Sequence, residues 1–553
     1  MAYDVVVKDG LIVDGTGKKA FRGDIAIQDG KIVAVGEVDG EAARTIDASG
    51  HVVAPGFIDA HTHYDAQLLW DPSANPATVH GVTTILMGNC GYTLAPVKPE
   101  DEDYLVGLFA AAEEIPKAAL KQFTPLQWET FPEYLAWMEG KLGVNVVTQI
   151  GHSALRRYVM GADALERAAT PEEIAEMARL TEEAIDAGAF GISSSQAQHQ
   201  RGEHGENIPS VYADEAETTA LAEAVKRKGA RLLSINPAGK RAGFTQDDYD
   251  TLAKLAEISG AAVSWNDFGM GTPEGTTMLE FMEAELAKGH EVYAVARCQR
   301  PETRFTLKKL SSVFAISEPW IEFSKLGEAE KLTALADPEW RTKLSEFWSQ
   351  APFMVNASVE KGHVEETKAL EGQMLVEIAE ARGCTPSEVM FDVAIADGLA
   401  TYFRLSGPVN VDEAPLERIL KSPATLVGIS DGGAHLQTFA GGDYTSYFLQ
   451  HWVKEKGSFT LEEGVAALSS DVAAFLGLTD RGTLELGKAA DITIFDPETV
   501  RPLELQTLDD IPSGGVRMTK NAAGIPWVLV NGEPVVEDGK PSTNVPGAVL
   551  GRN

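Results

Sequence analysis

The sequence predicts an α/β protein: a closed (β/α)8, TIM-like barrel with a small β domain built from both chain ends. Two observations predict it. Through the middle of the chain, short apolar strand candidates alternate with helical patterns, which implies parallel strands joined by crossover helices. At both ends the texture changes to β-branched alternation with repeated Asp-Gly and Asn-Gly turns.

The first end carries "YDVVVKDGLIVDGTG", "DIAIQDGKIVAVG" and "RTIDASGHVVAP". The far end returns to strands and hairpins in "GTLELGKAADITIFDPE" and "PWVLVNGEPVVEDGKP". An isolated hairpin is marginal in water, so the two ends are expected to pack as one domain, 1–55 with 482–553. Between them, "HVVAPGFIDAH", "VTTILMGNC", "NVVTQIGH", "FGISSSQ", "RLLSIN", "AAVSWND", "EVYAVAR" and "TLVGISDGGAH" supply eight strand candidates. Helical patterns such as "PEEIAEMARLTEEAIDAG" and "EAETTALAEAVKRKG" lie between most of them. Eight βα units imply a barrel, here spanning 56–481. A minimal barrel takes about 250 residues, so the excess length is assigned to ordered insertions near 92–141 and 300–422. Structureless loops of that size are rare.

The 553 residues are 44% apolar and 23% charged, as in a soluble globular protein. Lys plus Arg number 47 against 82 Asp plus Glu, a net charge of −35. That balance opposes binding to nucleic acid or anionic lipid. No apolar run reaches the length of a membrane span. "MAYDVVVKDG" lacks the basic and apolar regions of a secretory signal. Three scattered cysteines, Cys90, Cys298 and Cys384, form no disulfide framework. A cytoplasmic protein is expected, with a homo-oligomer allowed.

In a barrel of this kind, chemistry sits where strands end and βα loops begin. In "PGFIDAHTHYD", His61 and His63 fall two residues apart at the end of the first strand, so both rings can meet one object. Later strand ends bring Cys90, His152, Ser195 with His199 beyond it, Asn236, Asn266, Arg297, and Asp431 with His435. Six of the eleven histidines lie at or just past a strand end. Imidazoles, a thiolate and carboxylates in one place suit zinc or another first-row divalent ion. Asp59 is placed to support a ligand from behind. "GLIVDGTGK" and "DGKIVAVG" are hairpins and lack the strand-to-helix context of a phosphate loop.

"PGFIDAHTHYD", "GNCGYTLAPV", "GHSALRRYVMG", "SDGGAH" and "GTLELGKAADITIFD" together resemble the amidohydrolase superfamily, in particular its N-acyl-D-amino-acid deacylase (D-aminoacylase-like) branch. The resemblance runs over nearly the whole chain. It implies a distorted barrel, a small β-sandwich and a metal-dependent hydrolase of amide bonds. Carried residue by residue, it makes His61, His63, Cys90 and Asp431 metal ligands, with Asp431 also handling the proton. The deacylases place histidines after strands five and six, where this chain has Asn236 and Trp265–Asn266. One divalent ion per chain, zinc first among candidates, is therefore expected.

The expected reaction is hydrolysis of an N-acyl amino acid, a small-molecule substrate, by metal-activated water. Asp431 serves as general base and then acid, and His199 and His152 are the other catalytic candidates. Arg297, Asn236, His435 and Ser195 are the candidate substrate contacts, Arg297 through a bidentate grip on a carboxylate. Hydrolysis of a cyclic amide, or a metal-assisted lyase reaction, fits the same scaffold. A metal-free scaffold protein is the alternative from another class.

Overall fold

The computed structural model describes residues 3–239, 243–269, 274–311, 313–314 and 317–551. Parallel strands form two sheets. The first holds Phe57–Asp59, Val82–Met87 and Asn145–Thr148. The second runs through Ile150–Gly151, Gly191–Ser195, Leu232–Asn236, Ala262–Phe268, Val292–Arg297 and Thr425–Gly428, neighbours in chain order. The chain passes between the sheets at Gln149. There Phe190 N–H donates to Thr148 O at 2.9 Å. At the opposite margins, Thr62 and Gly432 form a parallel bridge, and His63 N–H donates to Gly432 O at 2.7 Å.

Most of these strands have sequences that are apolar on both faces. Val82–Met87 is buried at every position, as expected of a parallel strand covered on both sides. The helices between them start at clear caps. Thr170 with Glu173 and Thr245 with Asp248 make capping boxes for Pro171–Ala187 and Gln246–Ser259. Asp214 caps Glu215–Arg227.

A nine-stranded, mostly antiparallel sheet draws strands from both ends of the chain. Val52–Pro55 pairs antiparallel with Ile492–Phe495, Val53 opposite Ile494. Alternation gives this sheet two apolar faces. Val5, Val7, Ile25, Ile27, Ile492 and Ile494 share one core, while Val6, Ala26 and Val38 pack apart from it.

The long insertion carries its own core of Phe305, Phe314, Trp320, Phe347, Phe391 and Phe403. Its helices were expected. Its antiparallel sheet of Glu302–Phe305, Tyr402–Ser406 and Ala357–Lys361 was not. Those strands are four or five residues long, and their pairings reach across as many as about 100 positions, so no local hairpin signal marks them. Among the described residues no helix is long and apolar enough to cross a membrane.

Candidate metal centre and cavity

His61 and His63 leave the end of Phe57–Asp59 with rings 5.1 Å apart, edge to face. Asp59 accepts the His61 N–H at 3.2 Å. Burial pushes the Asp59 carboxyl up to about 7, and Asp65, equally buried, to about 7 as well. Cys90 enters from a tight turn with φ +57°. That turn is pinned from several sides. Asn89 donates to the carbonyls of Thr62 and Leu86, and Gly91 N–H donates to Ser193 Oγ. Gly88 has φ +77°, and a Cβ there would stand 2.3 Å from Gln149 O, so only glycine fits. The "GNCG" stretch is thus a device for aiming one thiol.

Asp431 arrives from the loop after the last parallel strand, also at positive φ, +48°. Its Oδ1 lies 3.5 Å from His61 Nε2 and 3.9 Å from His63 Nε2. Its Oδ2 accepts from Arg297 Nη2 at 3.0 Å. Gly433 lets this loop lie against His63, since a Cβ there would meet the His63 backbone at 2.6 Å.

The donor set fits a divalent ion. Ligand atoms of His61, His63 and Cys90 all lie within 4.8 Å of one another, and all three residues are buried. Cys90 Sγ is 3.8 Å from His61 Nε2. Tetrahedral zinc with bonds of about 2.0–2.3 Å holds its ligands roughly 3.3–3.8 Å apart, close to these separations. Two asparagines press on the same atoms from the strands Leu232–Asn236 and Ala262–Phe268. Asn236 donates to Cys90 Sγ at 3.3 Å, and Asn266 Nδ2 lies 2.9 Å from His61 Nε2 and 3.7 Å from Cys90 Sγ.

A cavity of about 350 Å³ opens in front of this cluster. His63, Cys90, Asn266, Asp431, His199 and His435 are among its polar lining residues. The long insertion lines it with Leu310, Phe314, Trp320 and Ile321, together with Ser311, Ser324 and Lys325. Glu113 and Glu114 reach in from the short insertion, and these were not anticipated. Glu113 Oε1 lies 3.2 Å from His63 Nδ1. Glu114 bonds Thr438 and stands 3.6 Å from His435 Nδ1. Burial drives the Glu113 carboxyl up to about 8 against the pull of His435. For His435 burial lowers the pKa, but Glu114, Glu113 and Asp431 together outweigh it and lift the ring to about 9. A signal for the pair existed. Two acids close the helix Glu102–Ala112, where the helix dipole disfavours negative charge.

Two expected site residues turn elsewhere, and two more contact the cluster without lining the large cavity. His152 is fully buried, with Nδ1 2.8 Å from Ser194 Oγ and Nε2 2.6 Å from Glu217 Oε1, while Glu217 Oε2 pairs with Arg156. It begins a helix and faces the helical layer, not the cavity. Ser195 receives Ala197 N–H on its Oγ and Ser210 Oγ–H on its carbonyl, away from the cavity. Arg297 grips Asp431, since a buried guanidinium needs a carboxylate partner. Asn236 sits behind Cys90 instead of facing the large cavity.

The sequence pattern of the amidohydrolase family matches residues 44–536. The chain is 30% identical to D-aminoacylase of Alcaligenes xylosoxydans xylosoxydans, over 100% of this chain and 98% of that protein. Its fold is similar to N-acyl-D-glutamate deacylase from Bordetella bronchiseptica, solved with zinc and a phosphonate mimic of the tetrahedral intermediate. That likeness has a TM-score of 0.68 and 26% identity, with all of both chains covered. A D-aminoacylase with a binuclear metal centre, activated by one metal and attenuated by a second, matches with TM-score 0.67 and 25% identity over both full chains.

Proposed function

The chain belongs to the amidohydrolase family, and from that premise we propose that it hydrolyses the amide bond of N-acyl amino acids, D-configured ones first. The observation that carries this reading is the meeting of His61, His63, Cys90 and Asp431 beside a cavity to which the long insertion contributes Leu310, Phe314, Trp320 and Ile321. The cluster suits the scissile amide, and these apolar residues suit an acyl chain.

His61, His63 and Asp431 would hold one divalent ion, zinc by the chemistry of the donors, with Cys90 beside them. When bound, the ion supplies Lewis-acid polarisation of the substrate carbonyl and a lowered pKa for water at the site. Asp431 Oδ1 accepts the proton of the attacking water and returns it to the leaving nitrogen. Arg297, on Oδ2, keeps Oδ1 directed at the histidines. His199, on the cavity wall, faces the substrate and donates to the oxyanion. His435 is held by Glu114 at the cavity edge for a substrate carboxylate. One ion is proposed, not two, because Asn236 and Asn266 set amides where a second ion would need ligands.

We further propose that the two parallel sheets close through the Thr62–Gly432 bridge into a (β/α)8 barrel over 56–481, and that 1–55 with 482–553 form a β-sandwich beside it. The cytoplasm suits three cysteines that form no disulfide.

The test is a screen of N-acyl amino acids of both hands, read by amine release, with elemental analysis of the dialysed protein. Turnover of an N-acyl-D-amino acid and one zinc equivalent are expected. No amine release from any of them, or two ions held equally tightly, counts against the reading.

A further inference from the structure

Glu113 belongs to no parallel strand. It closes the helix Glu102–Ala112 of the short insertion, yet its side chain ends against a first-strand histidine. Both side chains are 4% exposed. The two nitrogens of His63 have different carboxyl neighbours: Nε2 lies 3.9 Å from Asp431 Oδ1, and Nδ1 lies 3.2 Å from Glu113 Oε1. A neutral imidazole carries one proton, and a metal ligand must keep the lone pair on the nitrogen that faces the ion.

We propose that Glu113 is the positioning residue for His63, holding its proton on Nδ1 and its ring in place so that Nε2 offers its lone pair to the ion. The inference rests on His63 being a metal ligand, as read above. A carboxylate behind a ligand histidine fixes the tautomer and raises the basicity of the other nitrogen. A cation at Nε2 in turn makes the Nδ1–H a stronger donor.

The backbone around Glu113 supports the assignment independently. The Glu113 carbonyl accepts the His435 N–H at 2.6 Å. Glu114 then adopts φ +53°, a conformation that sends the second side chain the opposite way, to Thr438 and His435. The dipeptide therefore spans from the first strand's histidine to the loop after the last strand. Two adjacent acids are buried here, and each lies beside a different histidine. The short insertion, on this view, helps build the metal centre instead of only covering it.

The experiment measures zinc affinity by chelator competition on the full chain, alongside melting temperature. The parent, Glu113→Ala, Glu113→Gln and the same changes in a His63→Ala background are compared. Glu113→Ala should weaken zinc by about 10–100-fold. Glu113→Gln, which keeps an acceptor oxygen for Nδ1–H, should recover most of that. In the His63→Ala background Glu113→Ala should change little more, because the two act as one unit. Unchanged zinc affinity with a lowered melting temperature would make Glu113 structural only and overturn the proposal, as would equal losses in both backgrounds. Should the alanine variant not fold, Glu113→Met fills the volume without an acceptor, and affinity equal to Glu113→Gln overturns the proposal. A parent that holds no zinc defeats the metal reading itself. A parent that holds it, with Glu113→Ala holding it equally, defeats this inference alone.

Discussion

The two walls of the cavity are built in different ways. The polar wall comes from strand ends. His63, Cys90 and Asn266 each lie on or within a few residues of a buried parallel strand, and Asp431 is fixed by a loop that touches the His63 backbone. The other wall comes from the long insertion, whose Phe and Trp residues form a core separate from the main one. Groups that move protons need placement to a fraction of an ångström, which strands give. A wall that selects an acyl chain tolerates change, and an insertion with its own core can change without disturbing the strands.

The sharpest break in the comparison is Asp431→Asn. Turnover should fall by roughly 10²–10⁴-fold while fold and most of the zinc remain. Near-normal turnover in a folded, zinc-loaded variant would remove Asp431 from the polar wall's chemistry. Next comes Trp320→Ala. Its indole packs on Phe314 at 4.5 Å and on Phe323 at 5.5 Å, and donates to Leu344 O at 3.1 Å. The loss should cost the insertion about 3–5 kcal/mol, seen as faster proteolysis within 300–422, with zinc affinity unchanged. Zinc lost in step with the insertion would mean that the walls are one unit. A smaller effect is expected from Ile321→Ala, at the cavity surface. It should shift the preference between acyl chains of different length by roughly tenfold, in kcat/KM. An equal fall for every chain length would take Ile321 out of the selecting wall. The smallest is Thr385→Ala, which removes the capping box of Pro386–Ala396. About 1 kcal/mol of stability should go, visible in urea unfolding, with turnover unmoved. A change in turnover would couple the remote helix to the chemistry.

The same division explains what the sequence made legible. Each parallel strand was visible because apolar runs are local, and His61, His63, Cys90 and Asp431 were visible because they sit at the ends of such runs. The rule gives position along the chain but not direction. It therefore also picked out His152 and Ser195, whose side chains turn toward Glu217 and into the loop above. Arg297 was expected to hold a substrate, but its partner Asp431 lies 134 residues away and was already in the candidate set for another reason. Glu113 and Glu114 were missed because their partners lie far off. Thr438 is 324 residues from Glu114, and no local pattern encodes such a contact. The aromatic wall was missed similarly. Phe314 and Trp320 show only as apolar residues in a helical stretch until the insertion folds back over the strand ends.

The Thr62–Gly432 bridge also has a consequence in time. The ribosome makes His61 about 370 residues before Asp431, which at roughly 5–20 residues per second is about 20–70 s. Through that interval the nascent chain carries two imidazoles and a thiol without Asp431 to close them. Their final neighbour exists only after the last parallel strand has been translated and has docked beside the first. On the proposed metal reading, the complete ligand set would exist only after synthesis had passed Asp431, and a chain released earlier would hold only part of it.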